Sequence, residues 1–146
     1  MPEGLYPHIV LIVTGSVPRA EQMDRPLAYY LKDEIDKRGG RDPRRRAIVV
    51  SDLWYLRHED VHGQPTVSVG GTAVNALSAV LYRVLPVAMT VEDVLVIQMD
   101  VGFKDLRAAV WGRDHENTRA AVATFALDRF LGRFLEAAWS RTPSES

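Results

Sequence analysis

HIVLIVTGS, residues 8–16, is the stretch of the sequence that decides the fold. Its apolar residues follow one another without the alternation of a half-exposed strand, which is typical of a strand covered on both faces. The Thr14-Gly15-Ser16 end is typical of a turn. The stretch therefore predicts a buried strand of a parallel sheet that lies between helix layers.

Strands and helices alternate along the rest of the chain. Apolar, β-branched runs predict strands at 47–50, 66–69 and 94–97, with a weaker fifth strand at 108–111. Helices are predicted from about 24 to 39, from 73 to 85 and from about 115 to 139. This alternation implies right-handed crossovers. The predicted fold is α/β, flavodoxin- or Rossmann-like: a single three-layer domain over 1–139 with a mostly parallel sheet of about five strands, and a flexible tail at 140–146.

Capping residues mark the helix starts. Asp24 precedes the first predicted helix, Thr72 the second and Asp114 the third, and each is of a type that favours the N-cap. Thr90-x-x-Asp93 resembles a capping box, but the β-branched residues after it favour a strand that is preceded only by a helical turn.

Composition excludes several function classes. Of the 146 residues 47% are hydrophobic and 25% are charged, with a net charge of −1, so no bulk field favours nucleic acid or an anionic membrane. The absence of cysteine removes disulfides and thiolate chemistry. No apolar run approaches the roughly 20 residues of a membrane span, and no secretion signal is recognisable. We expect a cytoplasmic protein that binds neither nucleic acid nor membrane.

A ligand is expected at the carboxyl ends of the strands, where open α/β sheets bind their ligands. The strand ends at 14–16, 51–52, 70–72, 100–102 and 112–115 all carry a glycine or a short polar residue, although turns need such residues in any case. Gly70-Gly71 is the strongest anion candidate because a helix follows it. No phosphate-binding fingerprint is present and no particular cofactor is indicated. The predicted ligand-binding residues are Gly15, Ser16, Gly70, Gly71, Thr72, Asn75 and Gly112.

The same turn carries a resemblance to a known kind of module. Val69-Gly70-Gly71-Thr72-Ala73-Val74-Asn75, together with Gly112-Arg113-Asp114-x-x-Asn117-Thr118-Arg119, resembles small bacterial α/β modules of the S-layer and cell-wall-binding-repeat kind. The two motifs and the helix between them cover about half of the chain. The resemblance implies an α/β module and assigns no catalytic residue.

Three carboxylates at the predicted strand ends are candidates for catalysis. Asp52, Asp100 and Asp114 could bind a hard cation or divide acid and base roles if they converge, with His115 beside them. The alternative, which we favour, is that each aspartate caps a turn or a helix separately.

His58-Glu59-Asp60-Val61-His62 matches a zinc-protease pattern, in which two histidines on successive helical turns hold the metal. Gly63 and Pro65 follow at once and break the helix that this pattern requires. We therefore predict an exposed connection without zinc.

Three functions of different classes remain open. The first is binding of a small anionic or nucleotide-like ligand at the strand carboxyl ends. The second is a hydrolase or transferase that uses the carboxylates and His115. The third is a non-catalytic protein that assembles through its helices.

A dimer is predicted from the length of the last helix. A helix from about 115 to 139 would be roughly 37 Å long, whereas strands span only roughly 17–20 Å. Phe134, Leu135 and Trp139 would then extend beyond the sheet and form an interface. The alternative is that Leu5-Tyr6 folds back and covers these residues within one chain. The predicted helix at 73–85, which is apolar around most of its circumference, is a second candidate surface.

Overall fold

The computed structural model describes residues 6–141, which contain six strands and six α-helices. The strands are β1 (Val10–Thr14), β2 (Ala47–Ser51), β3 (Thr66–Val69), β4 (Val87–Val91), β5 (Leu95–Met99) and β6 (Arg107–Gly112). The helices are α1 (Pro18–Met23), α2 (Arg25–Gly39), α3 (Asp52–Arg57), α4 (Ala76–Val84), α5 (His115–Leu127) and α6 (Arg129–Ser140), with a 3-10 turn at Glu59–Val61. The predicted tail thus begins inside α6, and its residues 142–146 lie outside the described residues.

The strands form one mixed sheet in the order β2-β1-β3-β6-β5-β4. The strands β2, β1, β3 and β6 are parallel, whereas β5 runs antiparallel to both β6 and β4. The α/β class is confirmed, but the sheet has six strands in these residues rather than about five, and it is mixed. Helices α2, α5 and α6 cover one face, and α3 and α4 cover the other.

Burial follows the position of each strand in the sheet. All five residues of β1 and all four of β3 are buried, as the continuous apolar runs predict. The prediction of a buried second strand is wrong: β2 is an edge strand and Ile48 is 41% exposed. It is apolar enough for a central strand, but within residues 6–141 no strand pairs with its outer side.

β4 was not predicted, and the segment around Thr90 is not a helical turn. The chain reverses between β4 and β5 through Glu92 and Asp93, whose φ angles are 51° and 58°. Two consecutive positive φ angles define the tight turn that matches the twist of a β-hairpin. The capping-box pattern at Thr90 and Asp93 therefore belongs to a strand and its hairpin turn.

The long C-terminal helix is also corrected. The chain leaves the helical conformation at Asp128, with φ −89° and ψ −173°, and its carboxylate accepts a hydrogen bond from Arg129 N, 2.8 Å away, at the start of α6. Helix α6 packs on α5 instead of extending past the sheet, so Phe134 and Leu135 are buried within one chain. The predicted interface is therefore core, which removes its basis as a dimer surface.

The end of α6 is fastened to the start of β1. Trp139 Nε1 donates a hydrogen bond to the carbonyl of His8 at 3.0 Å, and the His8 ring nitrogen Nε2 lies 2.6 Å from the carbonyl of Arg141. Of the two residues expected to fold back, Leu5 lies outside the described residues and Tyr6 is exposed. None of the described helices is both long and apolar enough to cross a membrane.

Candidate functional site

A cavity of about 260 Å³ opens at the carboxyl edge of the sheet, between α1, the turn after β3 and the start of α5. The chain leaves β1 for β2 on one side and later returns to β3 on the other side, so strand order reverses beside this cavity. Open α/β sheets bind ligands at such switch points. We call it the Asp24 cavity; its lining residues are Arg19, Ala20, Met23, Asp24, Gly71, Ala73, Val74, Gly112, Arg113, Asp114, His115 and Thr118.

Asp24 is the buried acid of the cavity. It lies between α1 and α2, and its backbone N–H bonds to the carbonyl of Ala20 at the end of α1. Its side chain is only 9% exposed and makes no capping hydrogen bond to α2. Burial raises the pKa of this carboxyl, an effect that His115 and Arg19 partly offset. An ionised carboxylate at this place needs a partner.

His115 lies beside Asp24 at the first position of α5. The distance between His115 Nδ1 and Asp24 Oδ1 is 3.8 Å, which is an ion-pair contact but too long for a hydrogen bond. Nδ1 is buried and has no hydrogen-bond partner among residues 6–141. The imidazole side chain is 24% exposed, and His115 lines the cavity.

Cationic groups occupy the rim. Arg19 and Arg113 are both exposed, and neither forms an ion pair within the described part of the chain. The first turn of α5 adds backbone N–H groups that have no partner inside the helix. Asp114 caps one of these groups by accepting from Asn117 N at 2.9 Å. The N–H groups of His115 and Glu116 remain at the positive end of the helix dipole.

The predicted ligand-binding glycines have two different places. Gly71 and Gly112 line the cavity. Gly70 has φ +117°, and a side chain there would lie 2.8 Å from Asp24 Oδ2. Gly15 lies beneath the turn, where a Cβ would be 1.9 Å from the carbonyl oxygen of Val74. Gly70 thus lets the backbone approach Asp24, and Gly15 lets β1 end close against the turn after β3, because these positions lack side chains.

The predicted polar ligands of this turn mostly hold the edge together. Helix α4 begins at Ala76 rather than Ala73, and its cap is Asn75 rather than Thr72. The Oδ1 atom of Asn75 accepts hydrogen bonds from the N–H groups of the first helical turn. Its amide also donates to the carbonyls of β1 and β3. Ser16 donates its hydroxyl to Asp52. Thr72 is exposed and does not line the cavity.

The three candidate carboxylates do not converge. Asp52 is buried and bonded to the backbone of α3 and α4. Asp100 follows β5, whose antiparallel direction places it at the opposite edge, where its oxygens accept from the N–H groups of its own loop, Gly102 among them. These hydrogen bonds hold the pKa of Asp100 below its usual value. Only Asp114 reaches the cavity, together with His115.

His58 and His62 do not share a helical face. His58 ends α3 and stacks on Trp54, whereas His62 follows the 3-10 turn and stacks on Tyr55. One ring nitrogen of each histidine, Nδ1 of His58 and Nε2 of His62, lies 2.7 Å from a backbone carbonyl oxygen of α3. Across residues 6–141, no group of three or more His, Asp or Glu side chains is arranged to hold a metal ion.

Sequence reasoning missed Asp24 and Arg19 as site residues. Asp24 has the signature of an N-cap before Pro26, and the unpredicted helix α1 is what brings Arg19 and Asp24 to the cavity. No protein-family model matches the chain, and a search of the curated proteins finds no match either.

Proposed function

We propose that the protein binds a small anionic ligand in the Asp24 cavity. The proposal rests on one observation. Two arginines without an ion pair, Arg19 and Arg113, and the N-terminus of the 13-residue helix α5 all lie at the cavity. Arginine and backbone N–H groups at a helix N-terminus both bind phosphates and carboxylates. Within residues 6–141 neither Arg19 nor Arg113 forms an ion-pair contact, so both guanidinium groups can turn toward an anion.

The topology supports the same place. The order β2-β1-β3 at one side of the sheet is shared with flavodoxin-like sheets, which bind a phosphate-bearing ligand at this switch point. Gly71, in the turn that underlies the resemblance to S-layer and cell-wall-binding-repeat modules, lines the cavity. A nucleotide-like ligand remains within this proposal, since sugar and phosphate would both find polar groups there.

Calorimetric titration at constant ionic strength tests the proposal. We expect glycerol 3-phosphate and AMP to bind, and glycerol and adenosine to bind more weakly or not at all. Arg113→Gln should weaken the binding of both phosphates about tenfold, since it removes a charge-assisted contact. The matched control is Arg41→Gln, which changes an exposed arginine at the opposite edge of the sheet. Equal effects of the two substitutions, or binding of none of the phosphates, would contradict anion binding in this cavity.

A hydrolase or transferase is the second candidate, and the Asp24–His115 pair is the observation that favours it. A carboxylate next to one imidazole nitrogen can orient the ring so that the other nitrogen exchanges a proton with a ligand. In this proposal Asp24 takes the place of the predicted carboxylate cluster. Turnover of p-nitrophenyl phosphate that disappears in His115→Ala and persists in His58→Ala would support it. Turnover that survives His115→Ala would exclude His115 as the base.

We also propose that the chain self-associates as a dimer, through the second of the two candidate surfaces, the helix predicted at 73–85, rather than through the last helix. Exposed apolar residues of α4 and the adjoining edge strand β4 form a patch: Val80, Tyr82, Val84 and Val87. The strand has no charged residue and its outer side is unpaired within residues 6–141, which suits antiparallel pairing with a second copy. Light scattering should give twice the mass of one chain, and Val84→Asp should give a monomer. Leu127→Asp, on a distant exposed leucine, is the control. A monomeric wild-type protein at micromolar concentration would contradict the dimer.

A further inference from the structure

Asp24 is buried more deeply than the arginine side chains of the cavity. Its side chain is 9% exposed, whereas Arg19 and Arg113 are exposed. A ligand that enters the cavity therefore meets the two arginines together with Asp114 at the rim, and the Asp24 carboxylate on the inner wall. A ligand that was only an anion would satisfy the rim and would be repelled by the inner wall.

The Asp24 carboxylate lacks a hydrogen-bond donor among residues 6–141. It makes no cap bond to α2, and the imidazole nitrogen Nδ1 of His115 is 3.8 Å from Oδ1, beyond hydrogen-bond distance. Gly70 lies next to Oδ2 and has no side chain that could cover it. An ionised carboxylate can only accept hydrogen bonds, and Asp24 lines the cavity, so it faces whatever occupies that space. The missing donor is therefore expected to come from what fills the cavity.

We propose that Asp24 selects small phosphate esters that carry a hydroxyl group near the phosphate. This inference rests on the proposed anion binding. The hydroxyl donates to Asp24 on the inner wall, while the phosphate stays at the rim with Arg19, Arg113 and the first N–H groups of α5. The arrangement keeps the two negative charges apart and pairs each with its own partners.

The size of the cavity fits such a ligand. Its volume of about 260 Å³ equals that of roughly nine water molecules at about 30 Å³ each. That space exceeds what an inorganic anion needs and admits a short polyol phosphate. Sulfate and simple alkyl phosphates offer no hydroxyl and would leave Asp24 unpaired in a filled cavity.

A pair of ligands that differ by one hydroxyl tests the inference. We compare 2-hydroxyethyl phosphate with ethyl phosphate by calorimetric titration of the full chain at pH 7.5, where both carry the same charge. The wild-type protein should bind the hydroxylated ester at least about tenfold more tightly, because a buried acceptor rejects a ligand that lacks its donor. Asp24→Leu should bind both esters equally. Asp24→Asn retains one acceptor oxygen and should show an intermediate ratio, and it serves if Asp24→Leu does not fold. Asp33→Asn, an exposed carboxylate of α2, is the control.

The outcomes separate this inference from the proposed function. Equal binding of the two esters by the wild-type protein would overturn selection by Asp24 and leave anion binding intact. A preference that persists unchanged in both Asp24 variants would show that another group receives the hydroxyl, and would also overturn it. Binding of neither ester would overturn anion binding itself. A preference that is lost in Asp24→Leu and kept in Asp33→Asn would support both.

Discussion

Asp52 Oδ2 accepts a hydrogen bond from the backbone N–H of Ala76, 2.8 Å away, and so joins the first turn of α3 to the first turn of α4. The other oxygen accepts from Leu53 N at 2.7 Å and from the hydroxyl of Ser16. A single buried carboxylate thus ties together the ends of β1 and β2 and the beginning of α4. Asp52, which the sequence suggests as a catalytic candidate, therefore has a structural role.

Asp52→Asn should lower the free energy of unfolding by about 2–3 kcal/mol, because hydrogen bonds to a charged acceptor are lost and a buried donor is left unpaired. Urea denaturation measures this loss, with Asp33→Asn as the exposed control. Ligand binding by the folded fraction should not change. Loss of binding without loss of stability would restore the functional role that the sequence suggested for Asp52.

Gly15→Ala should lower the free energy of unfolding by about 1–3 kcal/mol, as overpacking does. The new Cβ would lie 1.9 Å from the carbonyl oxygen of Val74 and 2.9 Å from Ala20 Cβ, so the turn after β3 must move. Gly63→Ala is the control, since a Cβ there meets open space. That variant should be neutral or gain about 0.4–1 kcal/mol. Similar stabilities of the two variants would mean that the turn yields without cost.

The central strands could be predicted because both of their faces are buried. In β1 and β3 the whole run is apolar or small, although the edge strand β2 carries a similar run and was therefore wrongly predicted as buried. β4 was missed because Pro86 and the Thr90-x-x-Asp93 pattern suggest helix boundaries. The hairpin after it depends on positive φ angles at Glu92 and Asp93, where no glycine indicates such a turn. The division of the last helix at Asp128 also lacks a proline or glycine to signal it.

The site was only half predictable, since its residues come together through tertiary structure. Gly71, Gly112 and His115 follow strands, and the rule for open α/β sheets places them at one edge. Asp100 was misplaced because the direction of β5 cannot be read from its composition. Asp24 was hidden, because an aspartate before a helix has the pattern of an ordinary cap whether or not its side chain caps anything.

Phe134→Ala should lower the free energy of unfolding by about 3–5 kcal/mol, which is typical of a fully buried phenylalanine. Phe134 packs edge to face against Phe125, with ring centroids 6.3 Å apart, in the core between α5 and α6. Its removal should not change the mass of the assembly under native conditions. Leu127→Ala, at a leucine that is 72% exposed, should change stability by less than about 0.5 kcal/mol. A change of mass at unchanged stability would return Phe134 to the interface that the sequence suggested.

Asp24→Asn should raise the free energy of unfolding at neutral pH. Burial raises the pKa of Asp24 in the folded protein above its ordinary value of 3.8, so the folded state binds more protons than the unfolded state between these two pKa values. The stability that the neutral carboxyl provides is fully present below pH 3.8 and is lost as the pH rises through the folded pKa. Asparagine is neutral at every pH and avoids this loss.

The difference in unfolding free energy between Asp24→Asn and the wild-type protein should therefore be close to zero near pH 3.5 and should grow as the pH rises toward 7. Urea denaturation across this range measures it, and Asp33→Asn should show no such trend. A variant that is more stable but no longer favours the hydroxylated ester would show that the chain sacrifices stability for function at Asp24. A wild-type protein that is the more stable of the two at pH 7 would mean that attraction to His115 and Arg19 outweighs burial, and the carboxylate would then be structural.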